Sequence, residues 1–252
     1  HMMATYAAML DCVDQSVGRM VAGLKERGML DDTLILFLSD NGGNAEGGPR
    51  GITQGGEIGS PDSSVFLGMS WATLNNTPFR RFKHFTHEGG ISSPLIAHWP
   101  KGIPSERYGK IEKQPGHLID VMATAVDLSG ATYPATFEGH PILPKEGLSL
   151  RPALLGEPLH RVKPIFWEHE GNRAVRSGPW KAVMKLKGEW ELYNIEEDRT
   201  EQHNLIGINK AVAGLLIQQW DDWAATSFVD PWTGPARNNW GEEPRPGKKA
   251  KK

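Results

Sequence analysis

The stretch Thr33-Leu34-Ile35-Leu36-Phe37-Leu38-Ser39-Asp40-Asn41-Gly42-Gly43 decides how the rest of the chain is read. From Thr33 to Leu38 it is a short, continuous run rich in strand formers, the pattern of a strand buried in a parallel sheet. The run stops at a carboxylate, an amide and a glycine pair, which turn the backbone tightly. Upstream, Leu10, Val13, Val17, Met20, Val21 and Leu24 recur at three- and four-residue steps, giving residues 5–27 one apolar helical face. Arg27-Gly28 closes that helix with a cation and a C-terminal glycine. Helix, tight turn and buried strand make half of a βαβ unit, so the fold class is α/β.

Downstream of Asp40 the chain is rich in glycine, serine and asparagine as far as Phe79 and shows little periodicity. It reads as a loop, and one of that length is functional rather than a simple connection. Pro94-Leu95-Ile96-Ala97-His98-Trp99 reads as a second strand, and residues 117–129 as another amphipathic helix. A proline-rich stretch covers 130–164. Beyond it lie four short runs, at 165–168, 172–176, 180–184 and 190–193, separated by glycine-containing turns. That spacing predicts an antiparallel meander. A helix follows over 211–225, with Leu215, Leu216, Trp220 and Trp223 on one face. From Pro231 onward proline, glycine and lysine dominate, the composition of a disordered basic tail.

Bulk composition narrows the function classes. With 38% hydrophobic and 23% charged residues the chain is globular. A net charge of -2 gives no global attraction to nucleic acid or an anionic membrane. No apolar run approaches the ~18 residues of a membrane span. Cys12 is the single cysteine, which excludes an internal disulfide. The opening His1-Met2-Met3 reads as an expression-vector scar, so any secretion signal would lie upstream.

Asp40 and Asn41 offer hard oxygen donors at the C-terminal end of a strand, where open α/β sheets hold their ligands. Such donors suit calcium. The same residues are also ordinary turn chemistry. A second motif follows at Lys83-His84-Phe85-Thr86-His87-Glu88-Gly89-Gly90-Ile91-Ser92-Ser93-Pro94. Together with the Gly23–Thr33 phrase, Glu191-Leu192-Tyr193-Asn194 and Asp198-Arg199-Thr200-Glu201-Gln202-His203-Asn204-Leu205, these motifs resemble the C-terminal half of the type I, formylglycine-dependent sulfatases, in their arylsulfatase-like branch. The resemblance covers residues 5–206.

The resemblance implies an alkaline-phosphatase-like α/β sulfatase fold, partial here. Residues 1–155 would be the C-terminal part of the large domain, 156–228 a small antiparallel subdomain, and 229–252 the tail. By position, Asp40 and Asn41 match the family's strand-end calcium ligands and Lys83 the lysine that contacts a sulfate oxygen. Glu88 would hold the Gly-Gly turn. His84 and His87 are candidate proton donors or substrate contacts, and equally candidate structural histidines. Ser92 stands where the family often has arginine. The phosphatases and phosphonate-ester hydrolases of the superfamily tend to carry histidine after the strand-end aspartate, so Asn41 favours calcium and sulfate esters.

The family's nucleophile is a formylglycine made in a Cys-x-Pro/Ala-x-Arg context. Cys12-Val13-Asp14-Gln15-Ser16 lacks that proline and arginine, so formylglycine is not encoded here and Cys12 reads as a small helix residue near the buried face. The family's N-terminal Asp-Asp pair of calcium ligands also has no counterpart before Asp40. The implied reaction is hydrolysis of a sulfate ester, on an aryl sulfate or a sulfated glycan, in a periplasmic or secreted setting. The chain alone is expected to be inactive, to hold Ca2+ weakly, and to oligomerise or pair with an N-terminal half. The rival readings are a phosphate- or phosphonate-ester hydrolase on the same fold and a non-catalytic fragment that only assembles.

Overall fold

The computed structural model describes residues 1–234 of the chain. The tail expected over 229–252 lies outside the described residues from 235 onward. The backbone forms two compact units, one of residues 1–15, 38–94 and 164 onward, the other of residues 16–37 and 95–163. In order, the elements are α1 (Met2–Glu26), β1 (Ile35–Leu38), β2 (Ile52–Gln54), β3 (Ser64–Phe66), α2 (Met69–Asn75), α3 (Glu88–Ile91), β4 (Leu95–His98), α4 (Ile119–Ser129), β5 (Thr136–Phe137), β6 (His140–Pro141), α5 (Arg151–Leu155), β7 (Ile165–His169), β8 (Asn172–Ser177), β9 (Trp180–Met184), β10 (Trp190–Asn194) and α6 (Lys210–Thr226).

In the second unit β1 pairs with β4, its only strand partner among the described residues. Contrary to the buried strand expected, Phe37 and Leu38 of β1 and Leu95 and Ile96 of β4 are exposed. Helix α1 likewise buries none of its residues, although its apolar positions recur as read. Apolar periodicity states what a face can bury, and no described element covers these faces. Cys12 is exposed on α1 rather than near a buried face. Lower in this unit, Asp120 at the start of α4 is fully buried and accepts the backbone N–H groups of His117 and Leu148 while pairing with Arg161.

The first unit is built on the meander. Strands β7 to β10 form a four-stranded antiparallel sheet in chain order, as their spacing requires. Period-two alternation gives the sheet two different faces. Val175, Ala182 and Leu192 lie in register and pack on Ala213, Leu216, Trp220 and Ala224 of α6. Phe166 joins them by stacking on Trp223, ring centroids 5.1 Å apart. Ala174, Val183 and Tyr193 point the other way and cluster with Ile195 and Trp167.

That second face carries Lys181, a fully buried ammonium in the middle of a strand. Its Nζ donates to Glu88 Oε1 and Glu201 Oε1, each at 2.9 Å. Glu201 Oε2 accepts the backbone N–H of Glu88 at 2.9 Å, and Arg199 donates to Glu88 Oε2 at 3.2 Å. Burial would raise the Glu88 carboxyl, but the charge of Lys181 and then of Arg199 holds it at about 2. Burial would lower Lys181, and Glu201 and Glu88 raise it instead.

The segment expected to be one long loop contains a three-residue hairpin, β2 with β3, and the short helix α2. Elements this brief fall below the length at which periodicity registers.

Replacing Lys181 by Ala leaves Glu88 and Glu201 buried against each other, and is expected to cost about 3–5 kcal/mol of stability. Urea unfolding of the two chains measures it. A loss near zero would show that the carboxylates do not depend on the ammonium.

Candidate active site

The two sequence motifs meet in the first unit through backbone hydrogen bonds. Gly42 N–H donates to the Gly90 carbonyl at 3.0 Å, and Lys83 N–H donates to the Gly43 carbonyl at 3.0 Å. Asn76 Oδ1 accepts Gly43 N–H at 2.8 Å, bracing the same turn from α2. The approach is so close that only glycine fits. A Cβ on Gly42 would lie 1.8 Å from the Gly89 carbonyl oxygen, and one on Gly90 1.9 Å from that of Phe85. The strand-end turn bearing Asp40 and Asn41 is therefore fastened to the segment bearing Lys83, His84 and His87.

Asp40 is exposed and Asn41 half-buried, and Ser39 Oγ donates to the Asn41 carbonyl at 2.9 Å. Lys83 is half-exposed and its Nζ donates to Glu46 Oε1 at 2.8 Å. The Lys83 hydrogen bond, ahead of the opposing effect of burial, lowers the Glu46 carboxyl below its ordinary range. Glu46 Oε1 also lies 3.2 Å from His84 Nε2. The other ring nitrogen, His84 Nδ1, is 3.3 Å from His169 Nε2 and 3.1 Å from Glu170 Oε2.

The two histidines of the Lys83–Glu88 phrase have separate environments. His84 sits in this polar group beside Lys83. His87 is buried, and desolvation pushes its imidazole down, so it is neutral at neutral pH. Its Nε2 lies 3.2 Å from Glu191 Oε2, and Nδ1 has no hydrogen-bond partner, so the proton is placed on Nε2 and donated to the carboxylate. Glu191 also accepts from Tyr193 Oη at 2.7 Å and Arg80 Nη1 at 3.0 Å. Burial would raise Glu191, and the hydrogen bonds from His87 and Tyr193 and the charge of Arg80 hold it at about 2.

Glu88 turns inward to Lys181 and Arg199 rather than toward Lys83. Ser92 accepts a 2.7 Å hydrogen bond from Arg199 Nη2, so a guanidinium from the Asp198–Leu205 phrase reaches the place where arginine was expected in the chain. Sequence reasoning missed Glu46, His169, Glu170 and Lys181. Glu170 stood in a recognised turn, Glu170-Gly171-Asn172, and Lys181 inside an apolar strand, but nothing in their spacing joins them to Lys83.

A sulfatase family model matches residues 1–131, over half of the chain, and the chain belongs to the sulfatase family. It is similar to an uncharacterized sulfatase of Schizosaccharomyces pombe, 31% identical over 90% of this chain and 44% of that protein. It is also similar to N-acetylgalactosamine-6-sulfatase of Canis lupus familiaris, 30% identical over 78% of this chain and 32% of the relative. Among solved structures, Ps i-CgsB aligns with a TM-score of 0.66 and 30% identity, over 87% of this chain and 42% of that one. The chain thus spans less than half the length of the relatives it matches. Its fold is that of the alkaline-phosphatase-like sulfatases, α/β with a small antiparallel sheet. No described helix is long and apolar enough to cross a membrane.

The buried charges set a pH window for stability. His87 is lowered from 6.5, so its contribution is complete above that pH and falls as acid protonates it. Glu88 and Glu191, lowered from 4.5 to about 2, contribute fully above 4.5 and lose that contribution toward pH 2. Lys181 is raised above 10.5, so its contribution is complete below that pH and lost as alkali titrates it. Thermal unfolding across pH is expected to show a plateau between 6.5 and 10.5, with losses on both sides. A maximum below pH 5 would contradict this assignment.

Proposed function

We propose that this chain is the C-terminal part of a sulfate-ester hydrolase in which the Asp40–Asn41 turn and Lys83 receive the sulfate group. What carries the reading is the pair of backbone hydrogen bonds, Gly42 to Gly90 and Lys83 to Gly43, that fastens the two motifs together. The oxygen donors of Asp40 and Asn41 fit a hard cation, and calcium takes about six to eight such donors, so most must come from elsewhere. When bound, the ion supplies positive charge against the sulfate oxygens. Lys83 supplies a second fixed charge. Negative charge gathers on the sulfate oxygens as the ester S–O bond breaks, and an oriented ammonium stabilises it.

Neither His84 nor His87 donates a proton to the substrate in this reading. His84 has both ring nitrogens close to protein groups, and His87 is buried and neutral, which fits a positioning residue that holds Glu191 and Arg80. The nucleophile comes from the N-terminal portion that the longer relatives include. That portion also covers the exposed faces of β1, β4 and α1. Residues 1–155 then complete the large domain, with 156–228 as the small subdomain packed behind Lys83. The substrate is an aryl sulfate or a sulfated glycan. A relative bearing the name arylsulfatase, and Ps i-CgsB solved in complex with k-i-k-neocarrahexaose, support those two classes. A periplasmic or secreted setting follows from the same reading.

The test is hydrolysis of 4-nitrophenyl sulfate with calcium, by this chain and by a version extended to the full span of its relatives. Turnover is expected only from the extended protein, and Lys83→Ala in it is expected to lower kcat by about 10²-fold or more. Turnover by the short chain, or preference for a phosphate ester, would overturn the reading.

A further inference from the structure

The polar group around His84 has a geometry that the sulfatase reading does not use. His84, His169 and Glu170 each offer one ligand atom, and these three atoms all lie within 4.8 Å of one another. His84 Nδ1 is 3.3 Å from the histidine nitrogen and 3.1 Å from the carboxylate oxygen. Donors bound tetrahedrally at zinc distances of about 2.0–2.1 Å lie about 3.3 Å apart, so these separations are those of neighbouring ligands on one ion.

Hydrogen bonding alone leaves this group incomplete. The two imidazoles are stacked, ring centroids 5.4 Å apart and 26° from coplanar, and one proton can be shared between Nδ1 and Nε2. Glu170 gains nothing from that. Its side chain is only 10% exposed, and Oε2 is inaccessible and accepts no hydrogen bond despite its closeness to His84. An ionised carboxylate oxygen left so is costly, and a cation is the partner that suits it.

The surroundings hold the three donors in place. The buried Asn172 donates from Nδ2 to the carbonyls of both His84 and His169, each at 2.9 Å, tying the two histidine backbones together. Gly171 N–H donates to Glu168 Oε1 at 2.8 Å, which fixes the turn presenting Glu170. Behind His84, Glu46 Oε1 lies 3.2 Å from Nε2 and can accept its proton. A carboxylate accepting from the far nitrogen of a ligating histidine orients the ring and raises its basicity.

We propose that His84, His169 and Glu170 form a binding site for a zinc-class divalent ion, with Glu46 as its outer carboxylate. Two imidazoles and one carboxylate suit a borderline-soft metal rather than calcium. Such a ligand set leaves one tetrahedral position for water or a substrate oxygen. The site shares no residue with the Asp40–Asn41 pair.

Calorimetric titration of the metal-stripped chain with Zn2+ tests this, supported by the visible spectrum of the Co2+ form. One saturable Zn2+ per chain is expected, with a tetrahedral Co2+ spectrum. Glu46→Gln is expected to weaken binding by about 10–100-fold, and His169→Gln and Glu170→Gln by at least that. Both ligand variants keep side-chain volume, and an unchanged near-ultraviolet circular dichroism spectrum certifies their fold. Absence of a saturable site in the parent overturns the proposal. Undiminished affinity in His169→Gln and Glu170→Gln overturns it as well, by putting the ion elsewhere. Because the readout is metal binding and not hydrolysis, this result is independent of the sulfatase test.

Discussion

A single buried ammonium, Lys181, sets the position of everything around the candidate site. Strand β9 would be apolar on both faces without it, and Glu88 and Glu201 would face each other with only Arg199, on Glu88, as counter-charge. With it, three charges meet inside the protein, and the backbone N–H of Glu88 joins them through Glu201. The cost of desolvating such a group is large, so it does not act as a simple source of stability. Its effect is directional. Glu88 can satisfy Lys181 only if α3 starts at one place on the sheet, and that start fixes the Gly-Gly turn that receives Gly42.

A second network repeats the logic beside the first. Glu191 collects Arg80, Tyr193 and His87, and Arg80 also donates to the Glu201 carbonyl at 3.1 Å. Lys83 lies between residues held by these networks, Arg80 before it and His87 and Glu88 after it. Its backbone is therefore fixed while its side chain stays half-exposed, paired with Glu46.

The elements long enough to show a period were legible in the sequence. Helices α1, α4 and α6 and the four strands of the meander follow from three- and four-residue or alternate spacing of apolar side chains. Burial of β1 was not legible, because Phe37 and Leu38 record an ability to be covered and not a covering layer. The hairpin and helix inside residues 40–79 escaped because three-residue strands carry too little pattern. The site was half legible. Asp40, Asn41 and Lys83 stand in recognisable phrases, and the structure joins those phrases by hydrogen bonds. His84 and His87 sit three residues apart in one phrase, and only the tertiary packing separates a histidine beside Lys83 from a buried one. Glu46, His169 and Glu170 are invisible to local reading, since His169 is 85 residues from the histidine it meets.

Glu46 connects the two chemistries of this region. One of its oxygens faces both Lys83 Nζ and His84 Nε2, at 2.8 and 3.2 Å. A carboxylate can satisfy both cationic or donor groups at once, but its charge is divided between them. Anything that strengthens the hold of Glu46 on His84 loosens its hold on Lys83, and leaves that ammonium more positive toward an incoming anion. Conversely, an anion that draws Lys83 away returns Glu46 to His84 and makes the imidazole a better electron donor at Nδ1. The Lys83 ammonium and the imidazole that faces His169 and Glu170 are thus coupled through one carboxylate, with no movement of the backbone required.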